Sequence, residues 1–359
     1  MTIGIAAAGS GGHVYPALAV AEELVDRGIS RDRFVFFGGD RMEASVVPEA
    51  GFPFVAVDIH GIRRSISFDN VRLPMKIRSA RTVIADAIEA NGIAVMVVFG
   101  GYVAGPAALA AKRSKIPLIV HEANAVPGIA NRLIAGRADT VYTAFAPAQK
   151  KLRTATTIGS PLRSSFEKFD RITMRESARE RLGVTTPGPV LVVVGGSLGA
   201  AALNDIAASL ALADGRSYTI VHVCGPTHGD RFTEESRDVP GWIVKGFEDD
   251  MPMLYAAADL VLARGGAMTI AELHATQTPA VIVPLPAGGG YQTLNAADAV
   301  GLGGMVAIDQ NHTEEIMATV DRLITDADGL TAMSAALVDA PHLEAARIVA
   351  DRALEVLDG

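Results

Sequence analysis

The chain has 359 residues, of which 49% are apolar and 20% are charged, and its formal net charge is −8. This length exceeds the usual size of one hydrophobic core and predicts two domains, and the composition excludes a disordered chain. The single cysteine, Cys224, excludes an internal disulfide and a zinc cluster built on cysteines.

Charge is divided unevenly along the chain. Residues 1–163 contain 19 Lys and Arg against 13 Asp and Glu, a net +6, whereas residues 164–359 contain 13 against 27, a net −14. This asymmetry indicates that one half meets an anionic surface or substrate. Apolar runs such as residues 93–99 are far shorter than the roughly 20 residues of a bilayer-spanning helix. Because no basic stretch followed by an apolar region opens the sequence, we expect the protein to stay in the cytosol.

Apolar runs that end in glycine or a turn alternate with helical patterns along the whole chain. In order, these runs are TIGIAAAG, RFVFFGG, AVMVVFGG, PLIVHEA, PVLVVVGG, YTIVHVCG, LVLARGG and AVIVPLP. Such alternation is typical of βαβ units and parallel sheets. We therefore predict an α/β protein with domains at residues 1–163 and 164–342, divided in the turn-rich segment IGSPLRSSF. A final helix at about 343–359 can pack on either domain.

Three strand ends lead through glycines into a helix, at residues 9–13, 100–105 and 195–199. A turn without Cβ atoms lets backbone N–H groups approach a ligand, and the following helix adds unpaired donors. The pattern therefore predicts a phosphate or diphosphate ligand. None of the three has the lysine of an ATP-binding loop or the G-x-G-x-x-G spacing of an NAD site, which disfavours both nucleotides.

Seven segments carry a resemblance to a known family. They are GGH (11–13), GGYVAGPAALAAKRSKIPLIVHEANAVPGIANR (100–132), GSPLR (159–163), VVGGSLGA (193–200), FEDDM (247–251), RGGAMTIAEL (264–273) and YQTLNA (291–296). In order and spacing they resemble the MurG family of cell-wall glycosyltransferases over residues 3–308. The resemblance implies a GT-B fold, in which two Rossmann-like domains have parallel sheets that face a cleft.

The resemblance also implies an activity. It is the inverting, metal-independent transfer of N-acetylglucosamine from UDP-N-acetylglucosamine to lipid I, which is undecaprenyl-diphospho-N-acetylmuramoyl-pentapeptide. The product is lipid II for peptidoglycan, and no cofactor or nucleic acid takes part. Other implied partners are the anionic inner face of the cell membrane and proteins of cell-wall synthesis, cell shape and division.

Site residues follow from the resemblance position by position. On the donor side they are Ser197 and Arg163 for phosphate, Phe247 for uracil, Gly266 and Ala267 at a helix start facing the diphosphate, Glu272 for ribose, and Gln292 and Asn295 for the sugar. On the acceptor side they are Ser10, Gly11, Gly12, His13, Glu122 and Asn124. Either His13 or Glu122 is the proton acceptor. The alternatives are a histidine that only holds its loop and a carboxylate that only orients one.

The stretch IRRSISFDNVRLPMKIR, at residues 62–78, mixes five basic side chains with apolar ones. The resemblance implies that it rests on the membrane, since apolar insertion and attraction to anionic lipid add together. The alternative is a solvated loop and helix that cover the sheet.

The sequence departs from the family in three places. Residues 287–290 are Ala-Gly-Gly-Gly and precede Tyr291, where the family carries an acidic or polar residue and then His or Gln. Ala123 replaces an amide, and the first loop reads AAGSGGH in place of GGTGGH. These changes keep two other hypotheses open: a transferase for another lipid-linked or secondary-metabolite acceptor, and a weakly active scaffold that binds UDP-sugar.

Overall fold

The computed structural model describes residues 1–59, 73–152, 154–286, 290–338 and 341–358. It divides the chain into two compact units, of which unit 1 comprises residues 1–164 with 341–359 and unit 2 comprises residues 165–340. Within the described ranges, every helix falls short of the length and apolar character that crossing a bilayer requires.

Unit 1 is built on a parallel sheet of seven strands. The strands are β1 (Thr2–Ala7), β2 (Phe34–Gly38), β3 (Phe54–Ala56), β4 (Ile93–Gly100), β5 (Leu118–Glu122), β6 (Thr140–Thr143) and β7 (Ala155–Thr157). Their order across the sheet is β3-β2-β1-β4-β5-β6-β7. The central strands are apolar at nearly every position because helices cover both faces of the sheet.

The helices of unit 1 form two layers. They are α1 (Gly11–Asp26), α2 (Glu43–Glu49), α3 (Leu73–Asn91), α4 (Ala104–Ser114), α5 (Ile129–Ala135), α6 (Ala146–Gln149) and, at the end of the chain, α16 (Ala345–Asp358), with a 3-10 turn at Arg31–Arg33. One core joins α1 and α16 to the sheet, and a second core joins α3, α4 and α5 to its other face. The final helix therefore packs on unit 1, where Val349 is buried in the same core as Ile3.

Unit 2 is built on a parallel sheet of six strands. The strands are β8 (Val190–Val194), β9 (Thr219–Val223), β10 (Trp242–Lys245), β11 (Leu260–Ala263), β12 (Ala280–Ile282) and β13 (Met305–Ala307). Their order is β10-β9-β8-β11-β12-β13. The short helix α7 (Ser164–Glu167) spans the division between the units.

Helices also alternate with the strands of unit 2. They are α8 (Arg171–Leu182), α9 (Ala201–Ala211), α10 (Gly229–Ser236), α11 (Met251–Ala257), α12 (Ala267–Ala275), α13 (Tyr291–Gly301), α14 (Thr313–Ile324) and α15 (Ala327–Ala335). The core includes apolar residues of α9, α10, α14 and α15 packed on the sheet.

Strand order reverses once in each sheet, between β1 and β4 in unit 1 and between β8 and β11 in unit 2. At such a reversal the two following connections leave the sheet in opposite directions and open a crevice beside the carboxyl ends of the strands. The glycine junctions at residues 9–13 and 100–105 follow β1 and β4, so they meet at the reversal of unit 1. The junction at 195–199 and Gly265–Gly266 follow β8 and β11 and occupy the same place in unit 2.

Candidate active site

The first glycine junction ends in the open N-terminus of α1. The helix begins at Gly11, and Ser10 precedes it with an extended backbone and no side-chain cap. The N–H groups of Gly11 and Gly12 belong to the first turn, where an α-helix has no internal acceptor for them. This end of unit 1 therefore offers backbone donors and the positive end of a helix dipole to an anion.

His13 is held by its own loop. Its Nδ1 lies 3.1 Å from the carbonyl oxygen of Ala8 and 3.3 Å from Oγ of Ser10. Since a carbonyl oxygen only accepts, Nδ1 carries the proton and Nε2 is the accepting nitrogen. Burial lowers the pKa of His13, against smaller raising effects from the Ala8 carbonyl and from Glu43, so the imidazole is neutral at neutral pH.

A buried carboxylate that the sequence analysis missed joins three loops of unit 1. Oε1 of Glu43 accepts from the N–H of Gly39 at 3.0 Å and from the hydroxyl of Tyr102 at 2.5 Å, and Oε2 accepts from the N–H of Gly9 at 3.2 Å. Burial alone would raise the pKa of Glu43, but these hydrogen bonds hold it below its ordinary value. Glu43 is therefore an anion fixed between the loops that follow β1, β2 and β4.

The signal for Glu43 was present in the sequence. RFVFFGG ends in the same glycine pair as the other junctions, and α2 begins at Glu43, a few residues later. The pattern is thus a fourth strand-to-glycine-to-helix junction, with an acidic residue at the start of its helix.

Glu122 turns into its own loop. Its Oε1 accepts from the N–H of Asn124 at 2.9 Å, and Oε2 accepts from the N–H of Gly128 at 3.0 Å and from Nδ2 of Asn131 at 2.9 Å. Burial is the main effect on the pKa of Glu122 and raises it. With both oxygens engaged, this carboxylate organises the loop that carries Asn124, which corresponds to the orienting alternative.

In unit 2, Gly199 of the junction at 195–199 packs against the carbonyl of Cys224, since a Cβ at Gly199 would lie 2.1 Å from that oxygen, and buried polar side chains hold this carbonyl. Nδ2 of Asn204, in the first turn of α9, donates to the carbonyl oxygen of Cys224 at 2.9 Å, and Nε2 of His222 donates to Oδ1 of Asn204 at 3.0 Å. Ser197, at the tip of this junction, is exposed. A turn that packs on a fixed carbonyl and exposes its tip suits a loop that binds an anion through its backbone.

The second junction of unit 2 opens α12. Gly266 caps the helix with an extended backbone and Ala267 is its first residue. Glu272 lies one turn further on, where its Oε2 accepts from the hydroxyl of Tyr255 at 3.0 Å. Tyr255 is fully buried, so it fixes the direction of the Glu272 carboxylate. Phe247, in the loop after β10, is 47% exposed.

Gln292 and Asn295 lie on one buried face of α13, as their spacing predicts, with 8% and 1% of their surface exposed. Oε1 of Gln292 accepts from the N–H of Leu285 at 2.8 Å, and Nδ2 of Asn295 donates to the carbonyl oxygen of Gly265 at 3.1 Å. Both amides therefore hold loops that follow neighbouring strands, a role that the sequence analysis did not include. Their contact with a sugar stays a prediction.

Three further features stay predictions. Arg163 lies in unit 1, with its guanidinium 5.5 Å from the ring centre of Tyr15. Residues 60–72 of the membrane stretch, and residues 287–289 of the divergent loop, lie outside the described residues. Among the residues that the structure does describe, no three or more His, Cys, Asp or Glu side chains are grouped to bind a metal ion.

Comparisons with known proteins assign the chain to a family. The models of the glycosyltransferase family 28 N-terminal and C-terminal domains match residues 3–143 and 190–349. A protein of Mycobacterium sp. (strain KMS), named UDP-N-acetylglucosamine–N-acetylmuramyl-(pentapeptide) pyrophosphoryl-undecaprenol N-acetylglucosamine transferase, is 38% identical over 358 residues, which cover 98% of this chain and 95% of the relative. The chain belongs to the MurG family of family-28 glycosyltransferases. A Mycobacterium bovis relative of the same name is 39% identical and covers all of this chain, with 90% of its own length matched.

Solved structures agree with this assignment. MurG of Acinetobacter baumannii has a TM-score of 0.76 and 29% identity, with 99% of each chain covered. UDP-GlcNAc 2-epimerase of Neisseria meningitidis, solved with UDP-GlcNAc bound, has a TM-score of 0.69 at 14% identity and shares the fold alone. The predicted family and the predicted fold class, a GT-B enzyme with two Rossmann-like parallel-sheet domains, are confirmed.

Each unit contains a fully buried histidine whose pKa is strongly lowered. In unit 1, Nε2 of His121 donates to the carbonyl oxygen of Gly159 at 2.9 Å. In unit 2, His222 donates to Oδ1 of Asn204. Burial lowers the pKa of each from 6.5 to about 4. Folding therefore requires both imidazoles to be neutral.

This burial predicts a loss of stability toward acid pH. Between pH 6.5 and 4 the unfolded chain binds a proton at each site that the folded chain excludes, so the free energy of unfolding falls as the pH falls. At pH 5 we expect a loss of about 2 kcal/mol per histidine relative to pH 7.5. Calorimetry at pH 5 measures the proton uptake on unfolding, and His121→Gln and His222→Gln should each reduce it by about one proton. Unchanged uptake in both variants contradicts the assignment.

Proposed function

We propose that this chain transfers N-acetylglucosamine from UDP-N-acetylglucosamine to lipid I, with inversion at the anomeric carbon and without a metal ion. The main support for this proposal is the 38% identity, over 98% of the chain, to relatives named for this transferase reaction. The glycine junctions at both strand-order reversals support it, since each offers backbone donors to a diphosphate. Lipid II for peptidoglycan is the product, which links the enzyme to cell-wall synthesis, cell shape and division.

On the acceptor side, Nε2 of His13 takes the proton from the attacking sugar hydroxyl. The protonated Nδ1, held by the Ala8 carbonyl, makes Nε2 the basic nitrogen, and the lowered pKa keeps it unprotonated at neutral pH. The acceptor oxygen bonds to the anomeric carbon as the bond to UDP breaks on the opposite face. Glu122 holds the loop of Asn124, so we assign proton acceptance to His13.

On the donor side, fixed positive charge stabilises the departing UDP. The open N-terminus of α12 at Gly266 and Ala267 and the turn that carries Ser197 supply it at the diphosphate. Glu272 binds the ribose hydroxyls, and the hydrogen bond from the Tyr255 hydroxyl sets the direction of its carboxylate. Phe247 contributes to the uracil site, and Gln292 and Asn295 hydrogen-bond to the hydroxyls of the donor sugar.

The membrane part of the proposal concerns the surface of α3, α4 and α5. Helix α4 packs on both of the others, and the three contain six Lys and Arg against two Asp and Glu. Their exposed apolar residues are Met75, Val83, Leu109, Ile129 and Leu133. Exposed apolar groups among basic ones suit the anionic inner face of the cell membrane.

The transfer reaction depends on the imidazole of His13. His13→Gln should lower kcat for transfer to a lipid I analogue by about 10²- to 10⁴-fold, because general-base catalysis contributes that much. The affinity for UDP should stay unchanged. Radiolabelled transfer from UDP-N-acetylglucosamine measures the rate, with other polyprenyl-linked acceptors as a control. Absence of transfer to lipid I by the wild-type chain, despite tight UDP binding, refutes the proposal.

UDP binding depends on the carboxylate of Glu272. Glu272→Ala should weaken UDP about 10- to 100-fold in calorimetry, since buried hydrogen bonds to a charged group contribute about 1–3 kcal/mol. Tyr255→Phe keeps the carboxylate and removes only the hydroxyl that directs it, so its loss should be several-fold. Equal affinities in wild type and Glu272→Ala show that this carboxylate does not contact the nucleotide.

Membrane binding depends on exposed side chains of α5. Ile129→Ser combined with Leu133→Ser should weaken sedimentation with anionic vesicles by about tenfold or more, given the transfer energy of such side chains. The matched control is Ile172→Ser, since Ile172 is 88% exposed near the start of α8 in unit 2, against 69% for Ile129. Neutral vesicles or high salt should abolish most binding. Equal losses in both variants contradict the proposed surface.

A further inference from the structure

The carboxylate of Glu43 and the imidazole of His13 hydrogen-bond to opposite ends of one peptide unit. The N–H of Gly9 donates to Oε2 of Glu43 at 3.2 Å, and the carbonyl oxygen of Ala8, in the same peptide, accepts from Nδ1 of His13 at 3.1 Å. We propose that Glu43 is a positioning residue that acts through the Ala8–Gly9 peptide to fix the tautomer of His13 and to strengthen Nε2 as a base. This inference rests on the proposed function only in that Nε2 is the base of that reaction.

A charged acceptor on the N–H side polarises the whole peptide unit. Hydrogen bonds in a chain strengthen one another, so a carboxylate on Gly9 N–H increases the negative charge on the Ala8 oxygen. The stronger acceptor holds the proton on Nδ1 of His13 and stabilises the imidazolium that forms when Nε2 takes a second proton. The carboxylate of a Ser-His-Asp triad does the same by direct contact. Here a peptide unit lies between the carboxylate and the imidazole.

The surrounding backbone fixes this peptide from the other side. Gly101 has a φ of +78°, and a Cβ at that position would lie 2.1 Å from the Ala8 oxygen. The loop after β4 therefore backs the carbonyl directly. The second oxygen of Glu43 is held by Gly39 and by Tyr102, so neither end of the peptide can turn away without breaking several hydrogen bonds.

Charged and titratable groups around His13 come from several elements. Glu43, at the start of α2, raises its pKa, whereas His121, at the end of β5, is kept neutral by burial. Asn131 of α5 and His13 both face Gly100, and Asn131 adds an uncharged amide. Asp40 raises the pKa of the Tyr102 hydroxyl, and Arg41 lowers it. Glu43 differs from these groups in its hydrogen bond to the Ala8–Gly9 peptide.

A proton titration of the full chain tests the coupling directly. The resonance of His13 is identified as the one missing in His13→Gln, and its pKa is followed by NMR in Glu43→Gln. We expect the pKa to fall by about 0.5–1 unit and the proton to be shared between Nδ1 and Nε2, since a nearby opposite charge shifts a pKa by that order. The matched control is Asp40→Asn, which removes an exposed charge from the same loop and should leave the pKa of His13 within about 0.2 unit. A fall no larger than in this control overturns the inference.

Kinetics separate the coupling from simple support of the loops. In Glu43→Gln the acid limb of the kcat/KM profile should move to lower pH by the same amount, and the plateau of kcat should fall about tenfold. Loosened loops alone would lower the plateau and leave the limb in place, which would count against the inference. Tyr102→Phe removes a different hydrogen bond of Glu43 and keeps its charge and its contact with Gly9. In Tyr102→Phe the pKa of His13 should stay at the wild-type value. A fall in Tyr102→Phe as large as the one expected in Glu43→Gln overturns the inference, and this result stands even if Glu43→Gln folds poorly.

The two proposals fail in different ways. The titration needs no substrate, so a lowered His13 pKa together with absent transfer to lipid I by the wild-type chain refutes the function and supports the coupling. Normal transfer with an unshifted pKa in Glu43→Gln refutes the coupling and supports the function.

Discussion

The candidate site depends on parallel strands that end together at a point where strand order reverses. Helices cover both faces of each sheet, so polar chemistry is confined to the strand ends. Beside β1 and β4, and again beside β8 and β11, glycines let the chain turn straight into a helix without placing a side chain over the turn. The result is exposed backbone donors at a fixed position, an arrangement that suits the diphosphate of the proposed reaction.

Loops of this kind need support, because glycine contributes no packing and costs conformational entropy on folding. The structure supplies it with buried polar side chains that hydrogen-bond to loop backbone. Glu43 and Glu122 accept from loop N–H groups in unit 1, and Asn204, Gln292 and Asn295 serve the loops of unit 2. Each satisfies backbone groups that water would otherwise have to reach, and thereby keeps the donors in place before a ligand arrives.

The sequence predicted the fold because its signals are local. Continuous apolar runs of five to eight residues indicate buried parallel strands, and the glycines behind them mark where the helices begin. The role of Glu43 could not be predicted in the same way, since its partners Gly9 and Tyr102 lie 34 and 59 residues away and meet it only after β1, β2 and β4 align. The buried positions of Gln292 and Asn295 are equally non-local, because the loops that they hold follow different strands. Their shared helical face was predictable, and the loops that they hold were not.

Burial has two opposing effects on His13, the proposed proton acceptor. Removing His13 from water keeps its imidazole neutral, as the proposed proton acceptance requires, yet the same desolvation makes it a weaker base. A carboxylate in direct contact would restore basicity, but it would also add a charge beside an anionic diphosphate. Glu43 is fully buried on the N–H side of the Ala8–Gly9 peptide, so its charge lies one peptide unit further from the imidazole than a directly bonded carboxylate would, while the hydrogen bonds of that peptide still connect it to Nδ1. The glycine junction thus serves both parts of the proposed chemistry, since its helix start offers donors to an anion and its first peptide joins the carboxylate to the imidazole proposed as the base.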